Sequence, residues 1–229
     1  MHHDHPRSAD EAAVVVIVLT GGASRRMGRH KPALEVAGRA MVERVVDAAR
    51  PRRTFVVGSD LGVPGDTVTI ADDHPGGGPV AGLASGLRHL DELTSEAHGA
   101  APTPRGPSPD AGGPGSRADL VIVLAGDLPF VTSAHLDRLV AALTSDSASV
   151  AVTVDRDGQR NWLCAVWRRG ALADRIAALG DPTGQSMRRL ADGTSVVEVD
   201  HRGEATDVDT PDELARARRR AGEDTAGGA

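Results

Sequence analysis

The residues best suited to chemistry lie in one run, Leu19-Thr20-Gly21-Gly22-Ala23-Ser24-Arg25-Arg26-Met27-Gly28-Arg29-His30-Lys31. Glycines at 21, 22 and 28 allow backbone conformations closed to other residues and let N–H groups approach an anion. Arg25, Arg26, Arg29 and Lys31 add four positive charges over seven residues. This density suits a polyphosphate, and the run follows directly on an apolar stretch, Val14–Leu19. The alternative is a glycine-rich turn with solvated basic residues. The spacing excludes two common phosphate motifs. Five residues separate Gly22 from Gly28, and Arg29 follows, so the run is not Gly-x4-Gly-Lys-Ser/Thr. Nor is it Gly-x-Gly-x-x-Gly.

Two carboxylates complete the chemical set. Asp127 follows the apolar run 120–125 and stands just before Leu128-Pro129. A carboxylate at such a strand end is placed to hold Mg2+, which takes oxygen ligands and keeps waters. A turn-forming or helix-capping Asp is the alternative. Asp209 is a second candidate ligand, although Asp before Thr210-Pro211 also fits ordinary helix initiation. No Ser-His-Asp or Cys-His arrangement stands out. That fits a reaction in which a phosphate ester, already ionised near pH 7, attacks a nucleotide. Alignment and charge neutralisation then suffice, and no proton need be extracted.

The elements that must position these groups alternate. Val14–Leu19, 55–58, 68–70, 120–124, 150–154, 162–167 and 196–199 read as strands. Residues 41–49, 80–90, 133–143, 171–179, 185–190 and a last segment from Pro211 read as helices. Ser133 is the expected cap of the helix over 133–143, and Thr210 with Glu213 forms an expected capping box for the last. Ala81, Gly82, Ala84 and Ser85 give the second helix a small-residue face. Uniformly apolar strands between helices predict a three-layer αβα, Rossmann-like α/β fold with a mostly parallel sheet. Ligands in such folds bind at the carboxyl ends of strands, so the loops after Leu19 and Leu124 are expected to line one site.

Composition bounds the rest. The 229 residues fit one domain, expected over 12–220, with a disordered tail at 1–11, a flexible Pro/Gly-rich insertion at 94–118 and a frayed tail at 221–229. A net charge of −6 argues against a nucleic-acid partner. No run approaches the length of a membrane span. The single cysteine, Cys164, excludes an internal disulfide and sits in an apolar run as core filler; cytoplasm is the expected compartment.

The Leu19–Lys31 run closely resembles the L-A-G-G-x-S-x-R-M-G-x-x-K signature of the molybdenum cofactor guanylyltransferase-like branch of the nucleotidyltransferases. Gly78-Pro79-Val80-Ala81-Gly82 resembles that family's G-P-L-A-G motif, and Gly126-Asp127-Leu128-Pro129 its x-D-x-P motif. Asp207-Val208-Asp209-Thr210-Pro211-Asp212-Glu213-Leu214 resembles its closing motif. The resemblance implies that Leu19, Thr20, Gly21, Gly22, Ser24, Arg25 and Gly28 meet the nucleotide. Asp72, Gly78 and Gly82 would help bind the nucleoside. Arg26 and Lys31 would hold the phosphates and transition state, and Asp127, with Asp209, would hold Mg2+. It implies GTP and molybdopterin as substrates, pyrophosphate as product, and transient contact with molybdoenzyme or cofactor-pathway proteins. Thr20 replaces the usual Ala, His30 stands where Asp is frequent, and Asp207 and Asp209 stand where guanylyltransferases often carry Asn. These departures leave open CTP as donor, another small phosphate as acceptor, or a nucleotide-binding protein that has lost catalysis.

Overall fold

The computed structural model describes residues 14–21, 31–97, 119–201 and 203–226. Strand β1 (Val14–Leu19) is followed, after a short 3-10 turn at Lys31–Ala33, by a small hairpin of β2 (Glu35–Val36) and β3 (Arg39–Ala40). Then come α1 (Met41–Ala49), β4 (Arg53–Val57), β5 (Val68–Ile70), α2 (Pro79–Ala97), β6 (Leu120–Ala125) and α3 (Ser133–Thr144). The chain closes with β7 (Val150–Val154), β8 (Arg160–Arg168), α4 (Arg169–Leu179), α5 (Met187–Leu190), β9 (Val196–Asp200) and α6 (Pro211–Ala226).

Seven strands form one sheet in the order β5-β4-β1-β6-β8-β7-β9. It is parallel except at β8, which runs antiparallel to both β6 and β7. The residues of β1 and β6 alternate between two faces, and both faces are covered. Val16, Val18, Ile122 and Leu124 pack with α1 and α3 in one core cluster. Ile17, Leu19, Val121 and Val123 pack with Leu83, Leu87, Leu172 and Leu190 from α2, α4 and α5 in the other. This is the three-layer α/β arrangement that continuous apolar strands require. Gly86 lets α2 lie close on β1: a Cβ there would stand 3.2 Å from Ile17 Cδ1.

Several expected boundaries move. The helix expected over 80–90 continues to Ala97, so residues 94–97 of the expected insertion are helical and the remainder lies outside the described residues. The tail expected from 221 is helical to Ala226, because Leu214, Ala217 and Ala221 share a face packed on Val36, Met41 and Phe130. Thr132, not Ser133, caps α3: its backbone is extended and its hydroxyl accepts from His135 N–H at 3.2 Å. The hairpin of β2 and β3 was not expected at all, since two-residue strands carry no periodicity.

Strand β8 holds the main irregularity. Val152 pairs with Ala165, but the next residue, Thr153, pairs with Asn161. Trp162, Leu163 and Cys164 are therefore looped past β7, while Cys164 still pairs with Leu124 of β6. The Asn161 side chain replaces the missing ladder bonds. Its Oδ1 accepts from Leu163 N–H at 3.0 Å, and its Nδ2 donates to the Ala205 carbonyl at 3.0 Å. Bulges of this kind re-aim side chains next to sites.

Behind the bulge lies a buried polar chain. His135 is fully buried, with Nδ1 2.8 Å from Arg138 and Nε2 2.8 Å from Thr153 Oγ1. Arginine only donates, so Nδ1 must accept and Nε2 carries the proton, which is donated to Thr153. Burial, with the Arg138 guanidinium, lowers the His135 pKa to about 4, and burial pushes the Cys164 thiol up to about 12. Unfolded histidine titrates near 6.5. Between the two values the unfolded chain takes up a proton that the folded chain refuses. His135 therefore contributes stability that is whole above pH 6.5 and is lost as the pH falls towards 4, by roughly 3 kcal/mol at the limit. Denaturant unfolding at a series of pH values is expected to show this slope, and His135→Gln is expected to flatten it between pH 6.5 and 4.

Candidate active site

The site forms where β1 and β6 end side by side. Leu19 pairs with Ala125, and Gly126 N–H donates to the Leu19 carbonyl at 2.9 Å. The chain at Gly126 passes so close to its neighbours that a Cβ would stand 3.0 Å from Thr20 Cγ2 and 3.2 Å from Pro32 Cβ. Only glycine fits without displacing them. This approach sets Asp127 beside Lys31, whose Nζ donates to carboxylate oxygens of both Asp127 and Asp209. Asp209 comes from the far end of the chain and is held by a reciprocal cap at the start of α6. Glu213 accepts from the N–H groups of Asp209 at 2.7 Å and Thr210 at 2.8 Å, and its own N–H donates to Thr210 Oγ1 at 3.2 Å.

The Lys31 side chain is 10% exposed, against 20% for Asp127 and 57% for Asp209. Burial works to lower the Lys31 pKa, but the Asp127 and Asp209 carboxylates outweigh it and hold the ammonium charged above its ordinary value. Asp207 has the opposite problem. It is exposed along one side, yet loss of surrounding water and the nearby Asp209 and Asp127 push its carboxyl up to about 6. Among the described residues no group of three or more His, Cys, Asp and Glu side chains is arranged to hold a metal. The pair Asp127 and Asp209 nevertheless fits a divalent cation that takes its other oxygens from a triphosphate and water. Asp127 Oδ1 is buried without a hydrogen-bond partner among the described residues, and a buried acceptor of that kind calls for one.

A second group of expected residues meets at a notch between β1, the loop after β5 and α2. Asp72 Oδ2 stands 3.5 Å from where a Cβ on Gly21 would lie and 3.9 Å from one on Gly82. Asp72 Oδ1 is occupied, accepting from His74 N–H at 3.0 Å and from Ser85 Oγ at 3.3 Å. The carboxylate is therefore fixed with one oxygen facing the gap. Gly21 does not need the left-handed backbone expected of it; what it supplies is space. Thr20 turns its hydroxyl to the carbonyls of Val57 and Ser59, both at 3.0 Å, so its added oxygen serves the scaffold and not a ligand. Leu19 is buried, its side chain in the core and its carbonyl taken by Gly126. Gly78 lies apart from the notch, in the wall of a larger cavity. Gly22, Ser24, Arg25, Arg26 and Gly28 lie outside the described residues.

Three further residues were given no role at the site by the sequence reading. Ser85, noted only for its size, orients Asp72. Asp207 adds charge beside Asp209. Gly58, with φ of +110°, closes against the loop after β1: a Cβ there would meet Gly21 N at 3.0 Å. A glycine directly after a strand was the available signal. The cavity, of about 850 Å3, runs from Gly76–Pro79 past Trp162 and Gln185 to Asp207. It thus opens next to the charged cluster.

The family model for the MobA-like NTP transferase domain matches residues 16–199. The chain belongs to this family. It is a nucleotidyltransferase. A Rhodobacter capsulatus protein named molybdenum cofactor guanylyltransferase is 30% identical over 88% of this chain and 93% of its own. A Mycobacterium tuberculosis protein named probable molybdenum cofactor guanylyltransferase is 29% identical over 83% and 85%. Among solved structures, molybdopterin-guanine dinucleotide biosynthesis protein A from Archaeoglobus fulgidus superposes with a TM-score of 0.66 at 22% identity. It covers 91% of this chain and 99% of that one. A Thermus thermophilus 2-C-methyl-D-erythritol 4-phosphate cytidylyltransferase gives 0.59 at 18%, over 91% and 98%. These two share the fold of this MobA-like protein. No helix among its described residues is long and apolar enough to cross a membrane.

The notch supplies a direct test. Gly21→Ala adds a methyl group at ordinary contact distance from Asp72, so the fold is expected to keep its Tm. The gap itself narrows, and nucleotide affinity measured by calorimetric titration is expected to fall. Unchanged affinity would remove Gly21 and Asp72 from the nucleotide site.

Proposed function

We propose that this MobA-like protein transfers GMP from GTP to the phosphate of Mo-molybdopterin and releases pyrophosphate. The observation that carries the proposal is the meeting of Asp127 and Asp209 with Lys31, the last residue of the basic run 25–31. The names of the two relatives supply the donor and the acceptor. In the proposed reaction an oxygen of the acceptor phosphate forms a bond to the α-phosphorus of GTP. The bond between the α-phosphorus and its bridging oxygen breaks, and the electron pair leaves with pyrophosphate. The nucleophile needs no base, because a phosphate monoester is ionised near neutral pH.

Lys31 would hold its charge where the transferred group gains negative charge, in a place too buried for water to screen it well. Asp127 and Asp209 would hold Mg2+, which when bound neutralises part of the triphosphate charge. Asp72 would accept N–H donors of the nucleoside through Oδ2, the oxygen that faces Gly21 and Gly82. Guanine, with N1–H and an amino group on one edge, offers such donors side by side. Arg25 and Arg26, carried on the same run as Lys31, would meet the phosphates.

Pyrophosphate release from GTP, CTP, ATP and UTP with Mg2+ and molybdopterin tests the reading. GTP is expected to dominate. Preference for CTP would reassign the donor, and no release with any of the four would overturn the transfer itself. Lys31→Ala is expected to reduce turnover by about 10² or more, the scale of losing one electrostatic donor to a transition state. Asp127→Ala is expected to abolish Mg2+-dependent release, whereas tight nucleotide binding without turnover in the unaltered protein would mark a binding protein instead of an enzyme.

A further inference from the structure

Aromatic residues are scarce in this chain: two Trp, two Phe and no Tyr. Trp167, Phe55 and Phe130 are buried in the core. Trp162 is the exception. It is half-buried, it stands in the three-residue loop that β8 throws past β7, and it lines the cavity that ends at Asp207. A second cavity, of about 540 Å3, lies on the other side and shares Gln159, Arg160 and Trp162 with the first. The indole therefore stands in the wall between two spaces. The Arg160 guanidinium lies over its ring, 5.6 Å from the centroid, and is itself paired with Glu198 at 2.7 Å. Asn161 pins the loop through its bonds to Leu163 and Ala205, and so ties it to the segment between β9 and α6 that leads to Asp207.

We propose that Trp162, braced by Arg160, is the stacking surface for the flat heterocycle of the phosphate-bearing acceptor, and so the residue that selects a fused-ring acceptor over a sugar or alditol phosphate. This rests on the transfer reaction proposed above. The argument is chemical. A half-exposed indole with a guanidinium over its ring offers a flat, polarisable face, and stacking is what such a face does best. Gln159 and Gln185 line the same space. Their amides can meet the donor and acceptor groups on the edge of a pterin. The far end of the cavity reaches Asp207, beside Lys31, Asp127 and Asp209. A ring on Trp162 would thus point its phosphate at the charged cluster. The nucleotide has its own notch at Gly21, Asp72 and Gly82, none of which lines this cavity.

Two measurements on the full chain test this. In steady-state transfer from GTP to molybdopterin, Trp162→Ala is expected to raise the KM for molybdopterin about tenfold, the scale of losing one aromatic stacking partner. The KM for GTP and kcat should stay as they were, and Trp162→Phe should restore most of the loss. An unchanged acceptor KM, or a rise in the GTP KM instead, would overturn the assignment. The second measurement needs neither turnover nor a variant. Trp167 is fully buried, so the tryptophan emission that acrylamide quenches belongs to Trp162. Molybdopterin is expected to protect that emission and GTP alone is not; protection by GTP, or none by molybdopterin, would overturn the role of Trp162. Protection by molybdopterin without transfer would leave this inference standing and sink the proposed reaction.

Discussion

One ammonium group organises the working end of this protein. Lys31 is taken far enough from water that its charge must be met, and it is met by carboxylates from two distant parts of the chain. Burial by itself works against the charge of a lysine at that depth; Asp127 and Asp209 more than offset it and hold the ammonium charged. Two acids around one base also leave a surplus of negative charge, which Asp207 increases. The cluster is thus balanced to accept a cation on one side while it keeps a cation of its own on the other. That suits a polyphosphate whose charge must be divided among several partners.

The scaffold serves this cluster by close approach. Neighbouring parallel strands β1 and β6 end in register, and Gly126 continues their hydrogen bonding for one more residue. Glycine at 126 lets the loop after β6 rest on Thr20 and Pro32, and so fixes how far Asp127 stands from Lys31. Gly58 does the same one strand further out, where it holds Gly21 against the end of β4. Both are packing constraints at the C-terminal edge of a parallel sheet, where such folds place their ligands. The helical cap at Thr210 and Glu213 is a third device of the same kind: a local hydrogen-bond cycle that delivers Asp209 to a fixed point.

The other half of the site depends on a fault in the sheet. Strand β8 is the antiparallel member between β6 and β7, and it keeps its register with β6 while losing it with β7. The three residues that absorb the mismatch include the one aromatic side chain that is not buried. The buried chain of His135, Thr153 and Arg138 lies behind that fault and satisfies the polar groups that the broken ladder leaves inside.

Much of this was legible in the residues alone. The uniform Val, Ile and Leu runs announced strands covered on both faces, and strand-helix alternation then left a three-layer α/β fold as the natural solution. The glycine-rich basic run and the acids after the apolar stretches announced phosphate chemistry, since charge density and spacing are properties of a linear sequence. What the chain could not state in one dimension was partnership. That Lys31 would bridge Asp127 and Asp209, that Ser85 would orient Asp72, and that Thr20 would spend its hydroxyl on Val57 and Ser59 all depend on distances between segments far apart in sequence. The slip in β8 was equally hidden, because Trp162 through Trp167 read as an unbroken strand until pairing with β7 is known. Local pattern fixes which elements form; only the packing of those elements decides which side chains share a space, because burial and contact are set by the whole fold at once.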